Sequence, residues 1–173
     1  AMKNAYAGHL KYSFQLRPHT VADQAYIGAY QGIGVGYFNF GNPEELGNPL
    51  AVYLFQGGRI AQFSPRISLN YEWNFGASFG WKPYDEYDNP ENQIIGSKVN
   101  AYLNVNLYLK WALSPKFDLM IGATGSHFSN GNTQYPNSGL NTVDCKVGLV
   151  YNFNRRADEL VQSWQRPIVP PFP

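Results

Sequence analysis

The sequence predicts an all-β protein: an antiparallel up-and-down transmembrane β-barrel, eight-stranded, with seven strands visible over residues 1–154. Three observations carry this. Apolar and polar residues alternate with period two over long runs, the mark of strands with one greasy and one polar face. The connections alternate between tight and long, as in barrels with short turns at one rim and longer loops at the other. The runs match or exceed the ~9–11 residues a tilted strand needs to cross a bilayer, and Tyr71, Trp73, Trp81 and Trp111 gather near their ends.

In chain order, Leu10, Tyr12, Phe14 and Leu16 alternate with His9, Lys11, Ser13, Gln15 and Arg17. Tyr26 to Phe40 carries Gly28, Gly32, Gly34 and Gly36, which suits a curved strand or close approach of side chains. Leu50 to Phe63 loses its alternation near Gly57-Gly58, where a bulge is expected. From Arg66 to Trp81 the odd positions are Ile67, Leu69, Tyr71, Trp73, Phe75, Ala77, Phe79 and Trp81, and the even ones are polar or glycine. Lys98 to Leu113 repeats this, with Val99 to Leu113 apolar at odd positions and Asn100, Asn104 and Asn106 among the even ones. Phe117 to Ser129 and Leu140 to Phe153 complete the set. The tight connections are Phe63-Ser64-Pro65 and Ser114-Pro115, with a modest turn from Arg17 to Gln24. The long ones are Gly41 to Pro49, Lys82 to Gly96 and Asn130 to Gly139.

Seven strands leave an odd count, whereas bacterial single-chain barrels are even. A strand ahead of residue 1 is the simplest completion. No secretory leader is visible, since Ala1-Met2-Lys3-Asn4 leads directly into strand-like sequence. Residues 155–173 read as a tail, with a short amphipathic helix at Asp158 to Gln165 and a Pro-rich end. The competing architecture is a soluble closed barrel or sandwich with its apolar face inward.

A net charge of +1 with 14% charged residues excludes the basic stripe of a nucleic-acid binder. One cysteine, Cys145, excludes an intramolecular disulfide framework, and its place in a strand suits a small apolar residue better than a nucleophile. His9 and His19 have no carboxylate or second histidine at ligand spacing, so no metal site and no cofactor are expected. The acidic run Asp85-Glu86-Tyr87-Asp88 with Glu91 lacks the ligand spacing of a calcium loop and reads as solvated.

The candidate chemistry lies at the end of the last hairpin. Parity puts His127 and Ser129 on the apolar face of one strand and Asn141 on the apolar face of the next. Residues at i and i+2 share a strand face, so the imidazole and the hydroxyl can meet. Pairing His127 with Asn141 leaves residues 130–139 as loop. A base, a nucleophile and a group that orients the imidazole are the components of acyl transfer. Asn130, or the backbone of the Asn130-Gly131-Asn132 turn, can stabilise an oxyanion. The plainer reading is a pair of interfacial polar residues at a strand end.

The run from His127 to Asn141 resembles the signature of the outer-membrane lipid A 3-O-deacylase family: a His-aromatic-Ser-Asn element, then Pro-Asn-x-Gly and an aliphatic residue. This chain matches at His127, Phe128, Ser129, Asn130, Pro136, Asn137, Gly139 and Leu140. The resemblance implies an eight-stranded outer-membrane barrel that removes an ester-linked acyl chain from lipid A. Ser129 would be the nucleophile, His127 the base, and Asn130 with its neighbours the oxyanion site. The family's catalytic Glu is replaced by Asn141, a neutral amide that can fix the imidazole tautomer but cannot stabilise the imidazolium by charge. Asp144 lies near in sequence on the opposite face. The expected partners are lipid A or lipopolysaccharide and the lipids of the bacterial outer membrane, with no nucleic acid, and a homodimer is left open. Beside the esterase stand a barrel that binds lipopolysaccharide without turnover and a soluble lipid-binding barrel.

Overall fold

A computed structural model describes residues 4–15 and 28–156. Seven antiparallel strands follow one another in a single sheet in the order β1 to β7. They are β1 (Tyr6–Gln15), β2 (Tyr30–Asn39), β3 (Gly47–Gln62), β4 (Ile67–Trp81), β5 (Val99–Ala112), β6 (Phe117–Ser129) and β7 (Leu140–Tyr151). Each strand pairs with its sequence neighbour, giving an up-and-down meander curled into a half-barrel. Among the described residues β1 and β7 do not pair with each other, although the Tyr12 and Phe153 rings approach to 6.3 Å. Residues 63–66 and 113–116 form the short rim, and 40–46, 82–98 and 130–139 the long-loop rim. The expected tail helix, His19 and most of the β1–β2 connection lie outside the described residues.

The alternation decides which face is inside. Ile33, Val35, Leu50, Val52, Leu54, Trp73, Phe75, Leu103, Val105 and Leu107 are exposed on the outer face. Ser68, Asn70, Glu72, Asn74, Asn100, Asn104 and Asn106 are buried on the inner one. A soluble barrel buries its apolar face, so this inverted distribution rules that alternative out. Both β3 register shifts lie near strand ends, one at Gly47/Leu50 and one at Arg59/Ala61. The bulge therefore falls at Ile60, just beyond the Gly57-Gly58 pair where it was expected.

The interior has three layers. Near the long loops Phe38, Phe40, Tyr53, Trp81, Tyr102 and Phe128 form an aromatic core with Leu46, Ile95 and Leu140. In the middle, Glu72 of β4 receives Lys11 of β1 and lies 3.5 Å from Lys146 of β7. Tyr30 donates to the same carboxylate at 3.0 Å, and Lys146 also donates to Asn106 Oδ1 at 2.9 Å. At the short-turn end Arg155 forks onto Asp118 at 2.8 and 2.7 Å. The same guanidinium donates to the carbonyls of Pro115 and Ser114 at 2.8 and 2.6 Å. The first residue assigned to the tail is thus fastened to the base of the sheet.

Inward glycines make room for the large rings. A Cβ on Gly34 would lie 2.5 Å from the Tyr53 ring, and one on Gly122 would lie 2.2 Å from the Leu107 carbonyl oxygen. These strands can curl because no side chain occupies the space their neighbours fill.

Removing the middle carboxylate strands two ammonium groups in the lumen, and breaking a buried pair from one side costs about 3–5 kcal/mol. Glu72→Ala is expected to lower stability by that order, read as the urea midpoint of the folded band on unheated gels. A shift equivalent to less than about 1 kcal/mol, the scale of an exposed pair, would show that the curl does not depend on Glu72.

Candidate active site

The end of the last hairpin is built by alternation. On β6, Phe128 points inward and is fully buried, packed on Phe38, Trp81 and Tyr102 with each ring centroid 5.1 Å away. Its neighbours His127 and Ser129 are therefore turned to the outer face, where both are half-buried. On β7, buried Leu140 does the same for Asn141, which is exposed. The core thus fixes the orientation of three polar residues that it does not contain.

The β6–β7 ladder pairs His127 directly with Asn141 and runs without a printed register shift. Asn141 Oδ1 lies 2.7 Å from His127 Nδ1, and His127 Nε2 lies 3.1 Å from Ser129 Oγ. A carboxamide oxygen only accepts, so Nδ1 carries the hydrogen and donates it. Nε2 is left as the acceptor for the Ser129 hydroxyl, which is the tautomer a general base requires. Asp144 pairs with Thr124 on the inner-face parity and cannot reach the imidazole from there.

The loop after Ser129 is ordered by side-chain amides. The Asn130 N–H donates to Asn137 Oδ1 at 3.1 Å, and the Asn130 NH2 donates to the Gln134 carbonyl at 2.8 Å. The backbone N–H and one of the two side-chain N–H groups of Asn130 are thereby engaged, and its Oδ1 is buried without a partner among the described residues. Gly131 and Asn132 follow with φ of +64° and +67°, and among the described residues neither N–H has a hydrogen-bond partner. Consecutive N–H groups in turn conformations form anion-binding concavities.

A second loop braces this one. Ser138 Oγ donates to the Gln93 carbonyl at 3.2 Å, and a Cβ on Gly96 would lie 2.7 Å from the Pro136 carbonyl oxygen. Buried Asn92 organises that loop by accepting the N–H groups of Ile94 and Ile95 at 3.0 Å each and donating to the Lys82 carbonyl at 2.7 Å. In the acidic run, Asp85 Oδ1 caps its own turn, accepting from Tyr87 and Asp88 at 2.9 and 3.0 Å. The Asp88 and Tyr87 N–H groups hold that carboxyl below its usual range. No group of three metal-ligating side chains occurs among the described residues.

All six residues singled out from sequence, His127, Ser129, Asn130, Gly131, Asn132 and Asn141, lie at this one hairpin end. Two others escaped the sequence reading. Asn137 belongs to the matched Pro-Asn-x-Gly element, but only the folded loop shows its carboxamide against the Ser129–Asn130 peptide. Gly139 (φ +70°) lies so close that a Cβ there would be 3.1 Å from His127 Cε1 and 3.8 Å from Ser129 Cβ.

Fold and site together define an up-and-down antiparallel sheet of the β-barrel class, with an apolar exterior and a hydrogen-bonded His-Ser pair on its outer rim. The family described as lipid A 3-O-deacylase (PagL) matches residues 3–150. The chain belongs to that family, whose activity is hydrolytic deacylation of lipid A in the outer membrane. Neither the curated proteins nor the solved structures contain a match.

Gly139→Ala adds a methyl against the imidazole at a left-handed φ. The imidazole is expected to move off the Ser129 hydroxyl, read as a changed His127 ring resonance by NMR of the folded protein in detergent micelles. An unchanged His127 resonance in the folded variant would show that the Gly139 contact does not hold the ring.

Proposed function

We propose that this protein is a serine esterase that cleaves an ester-linked acyl chain from lipid A at the outer, lipid-facing surface of the barrel. The observation that carries the reading is the hydrogen-bonded series Asn141–His127–Ser129, at 2.7 and 3.1 Å, with the base lone pair aimed at the hydroxyl. An aqueous substrate would not need such a site on an apolar exterior. A lipid diffusing in the outer leaflet reaches it laterally, at the polar boundary where water is available.

Below His127 the outer face of β6 carries only Gly125 and Ala123 before Ile121. Val105 and Leu107 flank them on β5, and Val143 and Cys145 on β7. A Cβ on Gly125 would meet nothing closer than the Thr142 carbonyl oxygen at 3.9 Å. This strip of small residues gives the acyl chain a place to lie against the barrel with its carbonyl beside Ser129.

In the reaction Ser129 Oγ attacks the acyl carbonyl carbon while its proton passes to His127 Nε2. The oxyanion docks at the Asn130–Asn132 turn on the free N–H groups of Gly131 and Asn132, with Asn130 bracing the turn. The tetrahedral centre collapses, and the sugar oxygen leaves with the proton from His127. Water, deprotonated by the same imidazole, then hydrolyses the acyl-serine and releases the fatty acid. Asn141 fixes the tautomer and the ring orientation without adding charge.

The second reading, a barrel that holds lipopolysaccharide without turnover, is favoured by one observation, the neutral Asn141. Mass spectrometry of lipid A from cells expressing the parent, Ser129→Ala and His127→Ala decides between them. Loss of one acyl chain with the parent alone is the expected result. An unchanged acylation pattern with folded parent protein would leave only the binding role.

Asn141→Glu is expected to raise kcat by about tenfold or more, a part of the ~10⁴ that separates carboxylate from amide at the equivalent position of the serine-protease triad. No gain in the folded variant would mean that residue 141 does not limit the imidazole as a base.

A further inference from the structure

We propose that Tyr135 is the sugar platform of this site, its open ring face receiving the pyranose of lipid A that bears the scissile ester, a role that rests on the esterase reading above. An ester has two sides, and the surroundings of Ser129 differ on each. Toward the membrane lie Gly125 and Ala123, the strip of small residues proposed for the acyl chain. In the other direction the chain leaves β6 for the 130–139 loop at the long-loop rim, the side that faces outward in barrels of this class. The alcohol oxygen of the ester is one bond from the reacting carbonyl carbon, so the sugar ring it belongs to must lie against that loop.

The loop presents an aromatic face fringed by neutral hydrogen-bonding groups. Tyr135 is 78% exposed, and its ring contacts no other ring among the described residues. Asn132 Nδ2 donates to Tyr135 Oη at 3.4 Å, and the backbone of Asn132 carries one of the two N–H groups on which the oxyanion docks. The ring is therefore beside the reacting centre. Residues 130–139 contain no charged side chain. The exposed carboxamides of Gln93 and Gln134 have no partner among the described residues. An aromatic face packs on the apolar C–H face of a pyranose while amides exchange hydrogen bonds with its hydroxyls. A phosphate would call for a cation instead.

The platform is held from behind. A Cβ on Gly96 would lie 2.8 Å from the Tyr135 carbonyl oxygen and 2.7 Å from that of Pro136, so the 82–98 loop backs this segment directly. Ser138 is tied to the same loop through the Gln93 carbonyl at 3.2 Å. A ring fixed in this way needs no ordering when ligand arrives. Contact with the sugar, remote from the bond that breaks, then sets the ester carbonyl over Ser129. A tyrosine of the lipid-facing aromatic girdle would stand at a strand end. Tyr135 lies six residues beyond Ser129, the last residue of β6, among Asn, Thr and Gln.

Calorimetric binding of lipid A in detergent micelles tests this in the Ser129→Ala protein, where no turnover intervenes, alone and combined with Tyr135→Ala or Tyr135→Phe. Folding is read from mobility on unheated gels. Tyr135→Ala is expected to weaken binding by about tenfold, and Tyr135→Phe, which keeps the ring, to restore it to within about threefold. In Ser129→Ala with labelled tyrosines, NMR is expected to show cross-relaxation between the Tyr135 ring and the sugar protons.

Affinity unchanged in Tyr135→Ala would overturn the inference, as would an equal loss in Tyr135→Phe. Ring contacts with acyl methylenes in place of sugar protons would overturn it too, and make Tyr135 a membrane anchor. Acyl release by the parent that Ser129→Ala abolishes keeps the esterase reading intact in all of those cases. Tenfold weaker binding in Tyr135→Ala, with a parent that releases no acyl chain, supports the platform and fails the esterase alone.

Discussion

The carboxylate of Glu72 holds the two edges of the sheet to its middle. Lys11 on the first strand and Lys146 on the last both reach it across the lumen, while Tyr30 and Asn106 occupy its remaining acceptor positions. A sheet of seven strands twists of its own accord, but twist alone does not bring β1 round toward β7. Opposite charges that meet in the interior do. Lys11 also lies 5.0 Å from the Phe55 ring centroid, so its charge is satisfied by an aromatic face as well as by the carboxylate. With the curl set this way, polar side chains are enclosed and the apolar set is left outside.

The same alternation connects that interior to the chemistry. Phe128 and Leu140 are core residues, and each is followed or flanked by a polar residue that must point outward because its neighbour points in. The imidazole, hydroxyl and amide are placed by packing on the other side of the strand. A substitution in the aromatic layer would therefore be felt at Ser129 without touching it. The loops contribute a different kind of order, in which Asn92, Asn130 and Asn137 satisfy backbone groups that the ladders leave unpaired.

The strands were legible in the sequence because their signal is local. The parity of residues 66–81 and 98–113 gives β4 and β5 to within a residue at either end. It also gives the His127–Asn141 pairing, since a one-residue slip would turn a whole strand inside out. Four features were not legible, and for a common reason. The ion pairs of Glu72 join residues 61 and 74 positions apart, the bulge settles at Ile60 rather than at the glycines, and the Asn130 N–H and carboxamide bond within the loop. The orientation of Asn137 likewise depends on a bond across the loop. Each is decided by what the chain meets after folding, which periodicity does not encode. An eighth strand, expected from the even-number rule, is not among the seven described.

The aromatic layer has a bearing on the membrane as well as on the site. Phe38, Phe40, Tyr53, Trp81, Tyr102 and Phe128 meet across the interior at the long-loop rim, and Arg155 with Asp118 occupies the opposite end. In a barrel of this size the side chains fill the space that larger porins leave to water. Among the described residues the interior is therefore packed rather than channel-like. Rings and ion pairs thus do in the interior what a plug domain does in a wide barrel.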